Sequence, residues 1–177
     1  MHTAGQRFNY IVTYALSIAT LLAAAASSTE IFVRPDPKVD FKLVRVERLA
    51  RHDVGVEEAV IAFDLHADLR SCFSWNTKQL FVYVQVSFLS AGGSDSNSIV
   101  VWDKVLRSRD DALLDMKRTR NEYRLYDRDG ASIKGNTVNV TVSWNVMPKV
   151  GKLYHDSRTF PGIKMPNEYI MTTNPIR

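Results

Sequence analysis

Only one cysteine, Cys72, stands among the 177 residues. That excludes a disulfide within the chain and any multi-cysteine metal site. Charge of one sign never gathers: 23 basic residues are interleaved with 19 acidic ones, and no run of like charges reaches five. The net charge of +4 and pI ≈ 9.2 therefore come without the clustered patch that marks a nucleic-acid footprint. Eight glycines and six prolines in no triplet order exclude a collagenous repeat. With 45% hydrophobic and 24% charged residues the chain is not a disordered tail. Long apolar runs are missing too, save one, which excludes a polytopic membrane protein. No internal repeat is present, and the length suits one domain of ordinary size with an appendage.

The one exception is the appendage. From Phe8 to Thr29 there are 22 residues without a charge, 15 of them apolar, between Arg7 and Glu30. As a helix the run reaches ~33 Å, enough to cross a hydrocarbon core of ~30 Å. Two readings stand side by side. Arg7, the apolar run and Ala24-Ala25-Ala26-Ser27 have the order of a cleavable secretory signal. The run is nevertheless longer than the ~7–15 apolar residues of such signals and fits a retained membrane span. Ala15, Ala19, Ala23 and Ser27 recur at every fourth position, a small-residue stripe of the kind that lets helices approach closely in lipid. Ala15, Ala19 and Ala23 are thus the candidate helix-packing residues.

Pro35 and Pro37 make the next stretch an extended spacer, because proline cannot continue a helix and biases its predecessor to extended backbone. Most of the chain beyond Pro37 alternates with period two. Val39, Phe41 and Leu43 share one parity, which shifts at Val44 and Val46 and predicts a strand end or a bulge. Ile61, Phe63, Leu65, Ala67 and Leu69 form one apolar face; Leu80, Val82, Val84, Val86 and Phe88 form another; Val138, Val140, Val142, Trp144 and Val146 a third. Such alternation predicts half-buried antiparallel strands. Residues 99–106 read as a more continuously apolar strand and 122–126 as a short one. Turns are expected at Ala91 to Asn97 and at Asp127-Arg128-Asp129-Gly130, and one or two helical turns within Asp110 to Arg118. About seven strands predict an all-β domain, an antiparallel β-sandwich behind one N-terminal transmembrane helix.

Chemistry is sparse. Asp64, His66 and Asp68 share a strand face, but no second ligand group lies nearby in sequence, and a solvated face accounts for them. Asp127 to Gly130 lacks the ligand pattern of a calcium loop and reads as a hairpin turn. His52, His66 and His155 sit in no catalytic motif, and no Gly-x-Ser-x-Gly elbow exists. Gly92-Gly93 lacks the helix and lysine that complete a phosphate loop. Cys72, beside Phe73 and Trp75, reads as a small buried hydrophobe. No residue is assigned a catalytic, cofactor-binding or metal-binding role. One motif survives: Asn139-Val140-Thr141, the only glycosylation sequon, with Asn139 on the polar parity of its strand.

Several blocks carry a resemblance. Trp75 to Tyr83 (WNTKQLFVY), Val100 to Lys104 (VVWDK), Lys134-Gly135-Asn136, and Asn139 to Pro148 (NVTVSWNVMP) occur in an order and spacing that resemble signal peptidase complex subunit 3, with Phe63 to Leu69 fitting its early strand. The resemblance runs from the apolar segment to Pro166-Asn167-Glu168-Tyr169, while residues 91–98, 110–120 and the C-terminal tail are individual. It implies a single-pass signal-anchor in the endoplasmic reticulum membrane, left uncleaved, with a lumenal β-sandwich. The implied divisions are 1–7 as cytosolic tail, 8–29 as anchor, 30–40 as spacer and 41–177 as lumenal domain. It also implies a non-catalytic but required subunit of the enzyme that removes signal peptides. The implied partners are a separate catalytic subunit, smaller membrane subunits and, through one helix, the lipid bilayer; no cofactor or nucleic acid is implied. The alternatives left by the residues alone are a secreted or tethered ligand-binding sandwich with a cleaved signal, and an enzyme with an unrecognised triad.

Overall fold

The computed structural model describes residues 3–52, 55–89, 96–127 and 133–171. A long helix, α1 (Ala4–Thr29), and a 3-10 turn (Glu30–Phe32) precede an all-β domain. Its strands are β1 (Lys38–Arg51), β2 (Glu57–Asp68), β3 (Thr77–Leu89), β4 (Ser96–Leu106), β5 (Leu113–Arg120), β6 (Leu125–Asp127), β7 (Thr137–Pro148) and β8 (Tyr154–Lys164). They form two antiparallel sheets. One has the order β1-β2-β5, with β6 also pairing β2; the other has the order β4-β3-β7-β8. The sheets stay separate, so the sandwich is not closed into a barrel.

The period-two runs do what their pattern predicts. Ile61, Phe63, Leu65 and Ala67 of β2, Leu80 to Phe88 at alternate positions of β3, and Val138, Val140, Val142 and Trp144 of β7 are all buried in one core. Phe41 of β1 lies with its ring 5.3 Å from that of Phe63 beside it and 5.9 Å from that of Phe160 in the opposite sheet, tying the layers together. The parity shift at Val44 and Val46 is a pair of irregularities in the β1–β2 register, between Leu43 and Arg45 and between Val46 and Arg48. An extra residue on one strand moves the apolar set to the other face.

Three expectations need correction. Residues 110–118 are not helical beyond one 3-10 turn, Asp110–Ala112; Leu113–Arg120 is a strand. Its partner decides this: β5 pairs with β2 between Ala62 and Asp68 and buries Leu114 against the core, and that burial overrides a weak local helix preference. The short strand expected at 122–126 is instead Leu125–Asp127, because Glu122 and Tyr123 donate their backbone N–H groups to the Val101 carbonyl and not to a ladder. The last strand, β8, carries no period-two signal that would predict it. It is an edge strand exposed along nearly its whole length, with only Phe160 and Ile163 half-buried. The turns expected at 91–97 and 127–130 fall mostly outside the described residues.

Candidate functional site: the anchor and its seat on the sandwich

Helix α1 is capped by Thr3, whose hydroxyl accepts the Gln6 N–H at 3.3 Å. No residue of the helix is buried. Within its candidate span, Ala4–Phe32, an 18-residue stretch has mean hydropathy 1.7, and an apolar helix that the rest of the chain leaves uncovered is suited to lipid. Several hydroxyls bond to the helix's own backbone. Ser17 donates to the Thr13 carbonyl, Thr20 to Leu16 and Ser28 to Ala24, at 2.8–2.9 Å. Hydroxyls bonded inside the helix avoid being stranded in hydrocarbon. Twenty-six residues make ~39 Å at ~1.5 Å each, so the ends project past a ~30 Å hydrocarbon layer. Ala15 and Ala19 are exposed, Ala23 and Ser27 half-buried. Ser27, the last of that stripe, meets the β domain.

That meeting is a built junction. Gly151, between β7 and β8, has φ +116, and a Cβ added there would lie 2.7 Å from the Ser27 Oγ. Only glycine tolerates both the backbone and the approach. The turn carrying it is clamped by Asn76, whose side chain is buried. Asn76 Nδ2 donates to the Val150 carbonyl at 2.7 Å, its Oδ1 accepts the Val150 N–H at 3.2 Å, and its own carbonyl accepts the Lys149 N–H at 2.6 Å. Beside it, Ser74 donates its hydroxyl to Glu30 at 2.8 Å, and Ser71 accepts the Asp36 N–H at 3.2 Å. The helix end, the spacer and the start of β3 are thereby held as one piece. Asn76 lies in the WNTK block, yet nothing local in the sequence announces its partner 74 residues away.

A second buried polar group, Glu57, organises the far end. Its carboxylate accepts the N–H groups of Ile133 and Lys134 at 3.0 and 3.1 Å and the Tyr169 hydroxyl at 2.8 Å. This last hydrogen bond, first, and then burial push the Tyr169 phenol above its ordinary range.

The remaining candidates are engaged elsewhere. Asp64 accepts the Arg118 N–H at 2.7 Å, His66 lies 3.6 Å from Asp115, and Asp68 pairs with Arg70 at 2.7 Å. Hydrogen bonds from Arg70 hold the Asp68 carboxyl at about 2. Among the described residues no three histidine, cysteine or carboxylate groups converge on a metal position. His52 contacts Glu58 at 2.7 Å and His155 contacts Asn145 at 2.8 Å; neither of these partners is a hydroxyl or thiol. Burial pushes the Cys72 thiol up to about 11, which leaves it poorly nucleophilic at neutral pH. Asn139 is exposed on β7, paired with Ser87 of β3. Its Oδ1 accepts the Gly162 N–H at 3.1 Å, which leaves Nδ2, the atom a glycan would occupy, without a partner among the described residues.

The model of the family described as "Signal peptidase subunit" matches residues 1–168. Among curated proteins, "Signal peptidase complex subunit 3" of Gallus gallus is 35% identical over 159 residues, covering 86% of this chain and 87% of that protein. The Homo sapiens protein of that name is 35% identical over 162 residues, with 86% and 87% covered. That of Drosophila melanogaster is 32% identical over 163 residues, with 86% and 88% covered. The apolar helix, the two-sheet domain behind it and a likeness that runs through both place the chain in the signal peptidase complex subunit 3 family.

Proposed function

We propose that the protein is a non-catalytic, structurally required subunit of the signal peptidase complex of the endoplasmic reticulum membrane, with α1 as an uncleaved anchor and the β-sandwich in the lumen. The observation that carries this reading is the family match over residues 1–168. The catalytic groups then belong to another subunit, and the partners of this chain are that subunit, the smaller membrane subunits and the bilayer. The junction supports retention of the helix: cleavage near Ser27 would remove the side chain seated on Gly151 and separate Glu30 from the rest of α1. The sandwich acts by position. Held to one helix, it fixes a neighbouring active site relative to the membrane, and misplacement of ~1 Å can cost ~100-fold in rate.

Full-length protein carrying an affinity tag is expected to bring down signal-peptide-cleaving activity, and the purified chain alone to cleave nothing. Cleavage by the chain alone, abolished by changing one of its own serines, would overturn the reading. The same pull-down tests the stripe. Ala19→Phe should leave insertion intact but weaken recovery of the complex in detergent, because a large side chain forfeits close helix packing; unchanged recovery removes Ala15, Ala19 and Ala23 as packing residues.

The lumenal orientation is the one that keeps Arg7, the basic residue ahead of the span, in the cytosol. Asn139 gives the sharper test. It lies nine residues up β7 from Pro148, ~30 Å from the anchored end at ~3.3 Å per residue, and its free Nδ2 can take a glycan. One endoglycosidase-sensitive glycoform, lost with Asn139→Gln, is expected, with the β domain protected from protease in sealed microsomes. Digestion of that domain from the cytosolic side would show the orientation to be reversed.

A further inference from the structure

The end of the sandwich that meets α1 carries several exposed apolar side chains among charged ones. Trp75, in the loop before β3, is 62% exposed. Val150 and Leu153, in the turn between β7 and β8, are exposed as well, and so are Ile31 at 76% and Phe32 at 85% in the 3-10 turn after the helix. The bonding at this end gathers them. Lys149 donates its Nζ to the Trp75 carbonyl at 3.0 Å, Asn76 bonds both backbone groups of Val150, and Gly151 lies against Ser27. Elsewhere such residues would be a solubility liability.

Depth explains them. Ser27 lies inside the uncharged run that ends at Thr29, so the turn bearing Val150 and Leu153 runs alongside the last residues of the helix. The spacer cannot lift the domain away: Val33 to Pro37 are five residues, ~17 Å even when fully extended, and the Asp36–Ser71 bond ties them down. Lys78 and Lys152, both exposed, flank these segments in the chain. Tryptophan flanked by aliphatic residues with lysines at the rim is the composition of a membrane–water boundary, where the ring sits at headgroup level and ammonium groups reach outward to phosphate.

We propose that this end of the sandwich is itself a membrane-contact surface, with Trp75, Val150 and Leu153 entering the headgroup region of the bilayer beside Ile31 and Phe32. The occupant is the lipid interface crossed by α1, so the inference rests on reading α1 as a retained span. The contact turns a single-helix tether into two attachments and stops the domain rocking about the helix end.

Tryptophan emission tests it selectively. The other two tryptophans, Trp102 and Trp144, are only 6% and 4% exposed. Trp144 pairs with Val82, five residues and ~17 Å up β3 from Thr77. Wild-type and Trp75→Phe complexes, reconstituted in vesicles of phosphatidylcholine brominated on the acyl chain, give the Trp75 emission by difference. The expected result is loss of that difference emission in brominated vesicles and its return in unbrominated ones, with both complexes resisting extraction by alkaline carbonate. Difference emission that survives bromination in carbonate-resistant complex overturns the contact while leaving the anchor standing; this is also the result if another subunit covers Trp75. Extraction by carbonate would overturn the anchor and, with it, the contact.

Discussion

Glu57→Ala is expected to lower the thermal midpoint of the detergent-solubilised chain by roughly 10 °C, the consequence of losing about 3 kcal/mol in a domain of this size. The carboxylate is buried and accepts from Ile133 N–H, Lys134 N–H and the Tyr169 hydroxyl. Alanine removes all three bonds at once and strands the buried Ile133 donor, the costly half of a broken buried hydrogen bond. Glu57→Gln keeps one acceptor oxygen and should recover part of the loss. Tyr169→Phe should cost less, because the backbone donors keep their acceptor. It should also alter the alkaline limb. The Tyr169 pKa is raised in the folded state, so its contribution is fully present below the ordinary tyrosine pKa of ~10 and disappears as pH rises through the higher folded value. Equal melting of the wild type and Glu57→Ala would show that the clamp carries no stability.

Gly151→Ala should leave the sandwich folded and cripple the complex. The added Cβ meets Ser27 Oγ at 2.7 Å on a backbone of φ +116, a strain of ~1–3 kcal/mol that the exposed turn can relieve by moving away from α1. The domain would then lose its register on the helix, and processing of a preprotein by the reconstituted complex should fall by up to ~100-fold. Adding Ser27→Ala removes the oxygen and leaves the Ser27 Cβ at 3.4 Å, ordinary contact. Part of the activity should return, limited by the residual backbone strain. Unchanged processing by the single variant, or no recovery in the double, would show that the seat does not position the domain.

Segments that bury or shed water on their own account could be read directly from residue order. Phe8 to Thr29 announces an apolar helix, signal or span, because an uncharged run of that length is stable in hydrocarbon. β2, β3 and β7 announce themselves because each buries one face against the core, and burial of one face writes itself as period two. The WNTKQLFVY and NVTVSWNVMP blocks carry the family for a related reason: they hold the central strands of one sheet together with Asn76, which clamps the turn that receives the anchor.

Other elements exist only because of what they meet. β5 is a strand because β2 offers it an edge, with Leu114 opposite Ala67. β8 buries almost nothing on either face, so no periodicity records it; it exists because β7 supplies hydrogen bonds along its length. Glu57 and Ile133 are 76 residues apart, and Asn76 and Val150 are 74. A polar side chain that completes a distant turn looks, in sequence, like any solvated one. Whether Trp75 faces water or lipid is likewise set by the seat of α1 on Gly151, a contact between segments that only the folded chain brings together. Periodicity reports what a segment buries by itself; which segments meet is fixed by packing between them.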